Sequence, residues 1–304
     1  MGVAVIFPGQ GTQKSRMGVP WRDTSSWAIV ERAESAVDRP LAGLLLDADA
    51  TLDRTEDAQL AVLLASLLAW DSVRHRIDAP VAFAGHSLGQ ITALIASGAL
   101  GLEDGARLAA DRARCTQAAG VRHPGRLAAL IGATLSQAQE ACSPAEGGEP
   151  TCWVANDNAP GQVVVGGTPD GVDAASSEAR RLGVKRVVPL KVAAAFHTPL
   201  MDDARTALAP TLATTPFSHP SAPVVSNVDA QPHDDTAGWP DALGLHLVSP
   251  VRWRESMETL VALGADTFLE VGPGAVLSGL ARKTVPGVTT HTVAVPAELP
   301  EMVG

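Results

Sequence analysis

One pentapeptide concentrates the chemistry this sequence can support: Gly85-His86-Ser87-Leu88-Gly89, a G-x-S-x-G. Glycines on both sides of a serine permit a sharp strand-to-helix turn that lifts the hydroxyl out of a sheet. A helix that starts directly afterwards aims its N-terminal amides at the same point, where an oxyanion is stabilised. The alternative is an ordinary glycine-rich turn, since 28 glycines make a chance match easy. The flanks favour the nucleophile. An apolar run at 81–84 precedes the turn, and Ile91, Leu94 and Ile95 recur at helical spacing after it.

Such a serine needs a base to take its proton. The histidines stand at 75, 86, 123, 197, 219, 233, 246 and 291. His86 is adjacent to Ser87 and poorly placed to accept from it. His197 lies between a strand-like run at 184–192 and a helix opening at Thr198-Pro199, the kind of loop where an α/β fold places functional groups. Local sequence does not choose among the histidines. A second turn, Gly9-Gln10-Gly11, lacks the third glycine of a dinucleotide fingerprint and the GK[ST] ending of a P-loop. A backbone amide offered to an oxyanion is its better use. No HExxH, cysteine cluster or close carboxylate group supports a metal site. Cys115, Cys142 and Cys152 show no CxxC spacing and read as reduced thiols.

These residues must be positioned by an α/β framework. A buried strand is expected at 3–7, and a helix from Thr55, read as its cap, to about Val73. A strand at 81–84 and helices at 88–98 and 103–117 follow. The middle of the chain reads βαββαβ: strands at 127–132, 151–155, 162–165 and 184–192, helices at 136–142 and 171–182. That order suits a small ferredoxin-like subdomain, 125–197, inserted into a large α/β-hydrolase-like one formed by 1–124 and 198–304. Residues 268–271 are its last core strand. The 304 residues carry a net charge of −10, with 46% hydrophobic and 18% charged side chains. This composition is globular, and it argues against a nucleic-acid partner. No apolar run approaches the ~20 residues of a membrane helix, and the N-terminus lacks a basic signal region, so a cytoplasmic protein is expected.

Six segments in order carry a resemblance: FPGQGTQ (7–13), GHSLG (85–89), ANDNAPGQVVVGG (155–167), FHTPLM (196–201), SPVRW (249–253) and EVGPG (270–274). They resemble the malonyl-CoA:acyl carrier protein transacylases and the acyltransferase domains of polyketide synthases, over about residues 4–280. Residues 98–114 look like the polyketide-synthase version. The resemblance implies that Ser87 carries the acyl group, that His197 is its base, and that the Gln10 and Leu88 amides form the oxyanion hole. It implies that the His246 carbonyl orients His197, giving a Ser-His dyad without a carboxylate. Arg112 matches the arginine that binds the donor's free carboxylate. Gln59, His86 and Asn156 match other substrate-side positions, with Asn158 and Gln162 in the same motif as Asn156. Phe196 matches a position where Phe accompanies malonyl selection, because the ring crowds substituents on the α-carbon.

Helix geometry agrees with Arg112. A helix after Ser87 climbs ~16 Å, and a second one down to Arg112 descends ~15 Å, returning the guanidinium to the serine's level. Arg107 and Arg114 read as solvated. The implied partners are an acyl-CoA, used as substrate with no tightly bound cofactor, and an acyl carrier protein. Carrier proteins are usually acidic, so an acidic enzyme needs a local basic patch to dock one. Arg180, Arg181, Lys185 and Arg186 are one candidate; Arg252, Arg254, Arg282 and Lys283 are another. The alternative is a scatter of solvated charges. Gln90 stands where the family commonly has Glu, Ala58-Gln59-Leu60 where Thr-Gln-Pro is typical, and Leu127 where Met is common. These departures suggest a specialised enzyme, a free-standing monomer serving a polyketide assembly line in trans. A fatty-acid transacylase, a transferase of another acyl group and a hydrolase are the alternatives.

Overall fold

The computed structural model describes every residue except 1, 50–51, 145–147, 193 and 299–304. Among the described residues the strands are, in chain order, Val3–Phe7 (β1), Ala82–Gly85 (β2), Arg126–Ile131 (β3), Cys152–Ala159 (β4), Gln162–Gly167 (β5), Arg186–Pro189 (β6), Val224–Val225 (β7), Pro232–His233 (β8), Thr267–Val271 (β9) and Thr289–Val293 (β10). They form two sheets, one of order β10-β9-β1-β2-β7-β8 and one of order β4-β5-β3-β6. In the larger sheet β1, β2, β7, β9 and β10 run parallel. β1 and β2 are apolar or glycine throughout and buried along their whole length, as strands covered on both faces must be. They end together, with Phe7 opposite Gly85, so the turns that leave them emerge side by side.

Helices cover this sheet. Thr55–Val73 is apolar nearly all round and buried nearly all round, and it packs against Leu102–Arg122. Thr55 does not cap it. Arg54 holds the cap position with no side-chain cap bond, and Thr55 is the first helical residue. The helix after the serine is Gly89–Ala96, closed at Gly98 by a left-handed turn.

The smaller sheet is antiparallel. Its strands alternate faces with period 2. Ala128 and Leu130 pack with Ala138 and Ala141 of the helix Leu135–Ala141 and with Val172, Ala175 and Ala179 of the helix Pro169–Arg181. Leu127 and Ala129 face the other way, with Ala155, Val164 and Phe196. Two departures from the sequence reading matter for the site. β6 stops at Pro189, so residues 190–192 turn out of the strand, with Val192 N–H bonded to the Leu190 carbonyl. β4 continues to Ala159 through two register shifts, between Val154 and Asn156 and between Asp157 and Ala159. Such bulges re-aim side chains. Between them, Ala155 and Asp157 bond to both sides of Val251, joining the small sheet to the large part of the chain.

All three cysteines are free, with the Cys142 and Cys152 sulfurs 3.5 Å apart. Among the described residues no helix is long and apolar enough to cross a membrane.

Candidate active site

The turn at 85–89 is forced by its glycines. A β-carbon on Gly85 would lie 1.8 Å from the Gly89 carbonyl oxygen, so the strand end and the helix start touch backbone to backbone. One on Gly9 would lie 2.4 Å from the His86 carbonyl oxygen, which lets the turn after β1 close against the serine turn. Ser87 itself has φ +54°, a conformation rare for any residue with a side chain. The strained turn presents its hydroxyl at the base of a cavity of about 490 Å³.

Three distant segments meet at that hydroxyl. Ser87 Oγ lies 2.7 Å from His197 Nε2 and 3.1 Å from Arg112 Nη2. His197 Nδ1 lies 2.8 Å from the His246 carbonyl oxygen. A carbonyl only accepts, so Nδ1 carries the proton and Nε2 turns its lone pair to Ser87. Burial pushes the His197 pKa down, the Arg112 cation pushes the same way against the His246 carbonyl, and the result is about 3. The imidazole is therefore neutral at pH 7 and able to accept a proton. His246 stacks on it, with ring centroids 4.8 Å apart.

Arg112 comes from the helix Leu102–Arg122, so the helical hairpin does bring it back to the serine. The guanidinium is buried, and burial lowers its pKa to about 10, which leaves it charged at neutral pH. A second nitrogen, Nη1, donates to Gln59 Oε1, and Gln59 Nε2 donates to Thr116 Oγ1 at 3.2 Å. Gln59 thus fixes the fork of Arg112. Arg107 and Arg114 are exposed and paired with Asp104 and Asp111.

Gln10 lines the cavity, and Leu88 caps the helix Gly89–Ala96. Among the described residues neither backbone N–H meets an acceptor. His86 lines the cavity too, but its Nε2 lies 2.9 Å from Asn158 Oδ1 and its ring packs edge-on against Trp253. Burial lowers its pKa, opposed by the bond to Asn158. Asn156 lines the cavity with a buried Oδ1 that has no partner among the described residues. Phe196 lines it beside His197, and Gln162 lies outside the lining.

Several lining residues escaped the sequence reading: Gln13, Asp53, Leu190, Lys191 and Val192. The last three come from the turn that replaces the end of the expected strand. Arg180, Arg181, Lys185 and Arg186 are exposed and lie outside the lining. Arg181 is paired with Glu178. In the second basic set, Arg252 is paired with Glu255, and Arg254 with Asp157 and Glu258. Among the described residues no group of three His, Cys, Asp or Glu side chains is arranged to hold a metal ion.

A neutral base, a strained serine and a buried cation around one hydroxyl are an arrangement chemically able to move a carboxylate-bearing acyl group through an ester. Comparison with known proteins agrees. The chain belongs to the acyl transferase domain family, which matches residues 4–301. It is 36% identical over 302 residues to the malonyl CoA-acyl carrier protein transacylase of Salmonella typhimurium, covering 97% of each chain. Among solved structures it is similar to the acyl-carrier-protein-S-malonyltransferase of Bartonella henselae, with TM-score 0.91, 34% identity and 98% and 97% of the two chains covered. It is also similar to a malonyl-transacylase solved in complex with its type II PKS acyl-carrier protein, with TM-score 0.93, 31% identity and 98% of each chain covered. The protein is an enzyme, an acyltransferase.

Proposed function

We propose that the enzyme carries a malonyl group from coenzyme A to the phosphopantetheine thiol of an acyl carrier protein, through an ester on Ser87. The observation that carries this reading is the Arg112 guanidinium, buried and 3.1 Å from the Ser87 hydroxyl. A fixed cation there selects an acyl group that ends in a carboxylate. In the first half-reaction His197 Nε2 takes the Ser87 proton as Oγ attacks the thioester carbonyl. The Gln10 and Leu88 amides hold the oxyanion, and the C–S bond breaks as the proton passes to the coenzyme A sulfur. In the second half-reaction the carrier's thiol gives its proton to His197 and attacks the ester. That proton then returns to Ser87 Oγ as the C–O bond breaks. Gln59 keeps the guanidinium aimed, and Phe196 limits what the α-carbon can carry.

The same geometry serves polyketide and fatty-acid pathways. We favour a polyketide role in trans. The likeness to a transacylase bound to a type II PKS carrier protein supports it, as do the departures at Gln90 and Leu127. The names of the curated relatives fit a fatty-acid role equally well. We read the enzyme as a monomer that uses an acyl-CoA as substrate in the cytoplasm. We read the large body, 1–124 and 198–304, as α/β-hydrolase-like on its central parallel sheet and the turn at Ser87. We read 125–197 as ferredoxin-like on its βαββαβ order. Arg180, Lys185 and Arg186, none of them paired with an acid among the described residues, are the proposed carrier-docking charges.

The test is mass spectrometry of the protein after brief exposure to malonyl-CoA, then after addition of a carrier protein. One malonyl group on the Ser87 peptide, then on the carrier's phosphopantetheine, is the expected result. Free malonate in place of carrier-bound malonyl would make the protein a hydrolase instead.

A further inference from the structure

The left-handed backbone at Ser87 needs a restraint beyond its neighbouring glycines, and the side chain of Asn227 supplies one. The Ser87 N–H donates to Asn227 Oδ1 at 2.8 Å, and Asn227 Nδ2 donates to the Gly85 carbonyl at 2.9 Å. The pairing of β2 with β7 ends at Ala84 and Val225, and this amide continues it by one more rung. Asn227 is itself held. Its N–H donates to Gln90 Oε1 at 2.9 Å, while Gln90 Nε2 donates to the Val225 carbonyl at 3.3 Å. Its carbonyl accepts from Arg252 N–H at 3.0 Å, next to Val251, which pairs with β4. Every polar group of Asn227 is therefore bonded, and both Asn227 and Gln90 are buried without lining the cavity.

We propose that Asn227, held by Gln90, is a positioning residue: it fixes the Ser87 backbone so that the hydroxyl meets His197, and it ties that turn to the small sheet through Arg252. The inference rests on Ser87 being the acylated residue. A side-chain amide offers Ser87 an acceptor and Gly85 a donor side by side from one planar group. A carboxylate lacks the donor, and an apolar side chain leaves both buried groups unbonded. Loss of the restraint shifts the hydroxyl while leaving the Arg112 clamp in place. Turnover should therefore fall without a matching loss of donor binding.

The experiment compares Asn227→Ala, Asn227→Asp, Gln90→Leu and Gln90→Glu in the full chain, with folding checked by circular dichroism. Two rates are read: steady-state malonyl transfer to a carrier protein, and labelling of Ser87 by a small arylsulfonyl fluoride, which needs the serine turn but no acyl donor. Asn227→Ala is expected to lower kcat and the labelling rate about 100-fold, with KM for malonyl-CoA within about twofold. Asn227→Asp and Gln90→Leu are expected to lose about tenfold. Gln90→Glu keeps the oxygen that accepts from Asn227 N–H but loses the longer bond from Nε2 to the Val225 carbonyl, and should lose only about threefold. A folded Asn227→Ala that labels at the unaltered rate, or that raises KM without lowering kcat, overturns the proposal. Should that variant not fold, equal labelling of Gln90→Leu and Gln90→Glu overturns it. Labelling of the unaltered protein without any malonyl transfer would instead count against the proposed reaction, leaving the positioning role to be judged on labelling alone.

Discussion

The two walls of the cavity are built on different principles. On the side of the large sheet, Ser87, His197, Arg112 and Gln59 form one connected chain of hydrogen bonds, and His197 and Arg112 are 5% and 7% exposed. On the side of the small sheet stand Leu127, Asn156, Leu190, Lys191 and Val192. That wall offers apolar surface, an exposed lysine and an asparagine oxygen with no partner among the described residues. Dipoles fixed in advance need no reorganisation when charge develops, so chemistry belongs on the rigid wall. A wall that still has bonds to make suits the recognition of whatever is delivered.

The contrast breaks most easily at the serine. Ser87→Ala should lower malonyl transfer by about 10⁵-fold or more. His197→Ala should lose about 10³-fold. Both are read as single-turnover acylation by malonyl-CoA. A substitution of comparable cost at Leu190 or Val192 would show that the two walls are not functionally distinct.

Arg112 tests whether the rigid wall also chooses the acyl group. Arg112→Ala should cost malonyl transfer about 100-fold more than acetyl transfer, the range for stripping a buried charge of its partner. Equal losses would refute the clamp. The same variant has a pH signature. His197 is depressed to about 3 first by burial and then by the Arg112 cation. Removing the cation raises the pKa, so the acid limb of the Ser87 labelling rate should move up in pH while staying below the ordinary histidine value. No movement would mean that burial alone sets the base. Stability follows the same sign. An unfolded chain protonates this histidine near 6.5 and the folded one only near 3, so denaturant resistance should fall as pH drops across that window.

The rigid wall was the more legible of the two. Gly85 and Gly89 mark a local steric demand, and that demand is visible in a pentapeptide. Arg112 was singled out by the resemblance, since a lone helical arginine otherwise reads as solvated, and two helix lengths were consistent with its meeting Ser87. His197 is different: it depends on how three segments pack, and on residues alone it was one histidine among several until the resemblance singled it out. The small-sheet wall was hidden by a real strand signal. Residues 184–192 are valine-rich and read as one continuous strand, yet β6 ends at Pro189 and the chain turns, and that turn carries Leu190, Lys191 and Val192 to the cavity. Asn227 follows a strand of only two residues, too short to show a period. Thr55 has the composition of a cap, but Arg54 takes that place.

Phe196 lies at the seam, packing against the core of the large part and against the outer face of the small sheet. It should therefore sharpen the comparison. Phe196→Ala opens space next to the acyl α-carbon without touching the hydrogen-bonded chain. The ratio of methylmalonyl to malonyl transfer, measured in direct competition, is expected to rise about tenfold, the scale on which one pocket side chain discriminates a methyl. A fall in both rates with an unchanged ratio would place Phe196 in the rigid machinery instead.

The smallest effect is expected where recognition is purely electrostatic. Lys185 and Arg186 are exposed and outside the cavity, so reversing both charges leaves the acylation chemistry alone. An acidic carrier would then meet an acidic enzyme with only Arg180 left of the proposed docking charges, and the on-rate should suffer. Lys185→Glu with Arg186→Glu is expected to raise KM for the carrier about fivefold at low salt, shrinking as ionic strength screens exposed charges. Acylation by malonyl-CoA, followed separately, should stay unchanged. Lys191→Glu gives the counterpart: its side chain lines the cavity itself, so both half-reactions should weaken together. If the double reversal instead slows acylation, the charges at Lys185 and Arg186 act through the fold of the small sheet, and the recognition wall begins further from the cavity than its lining suggests.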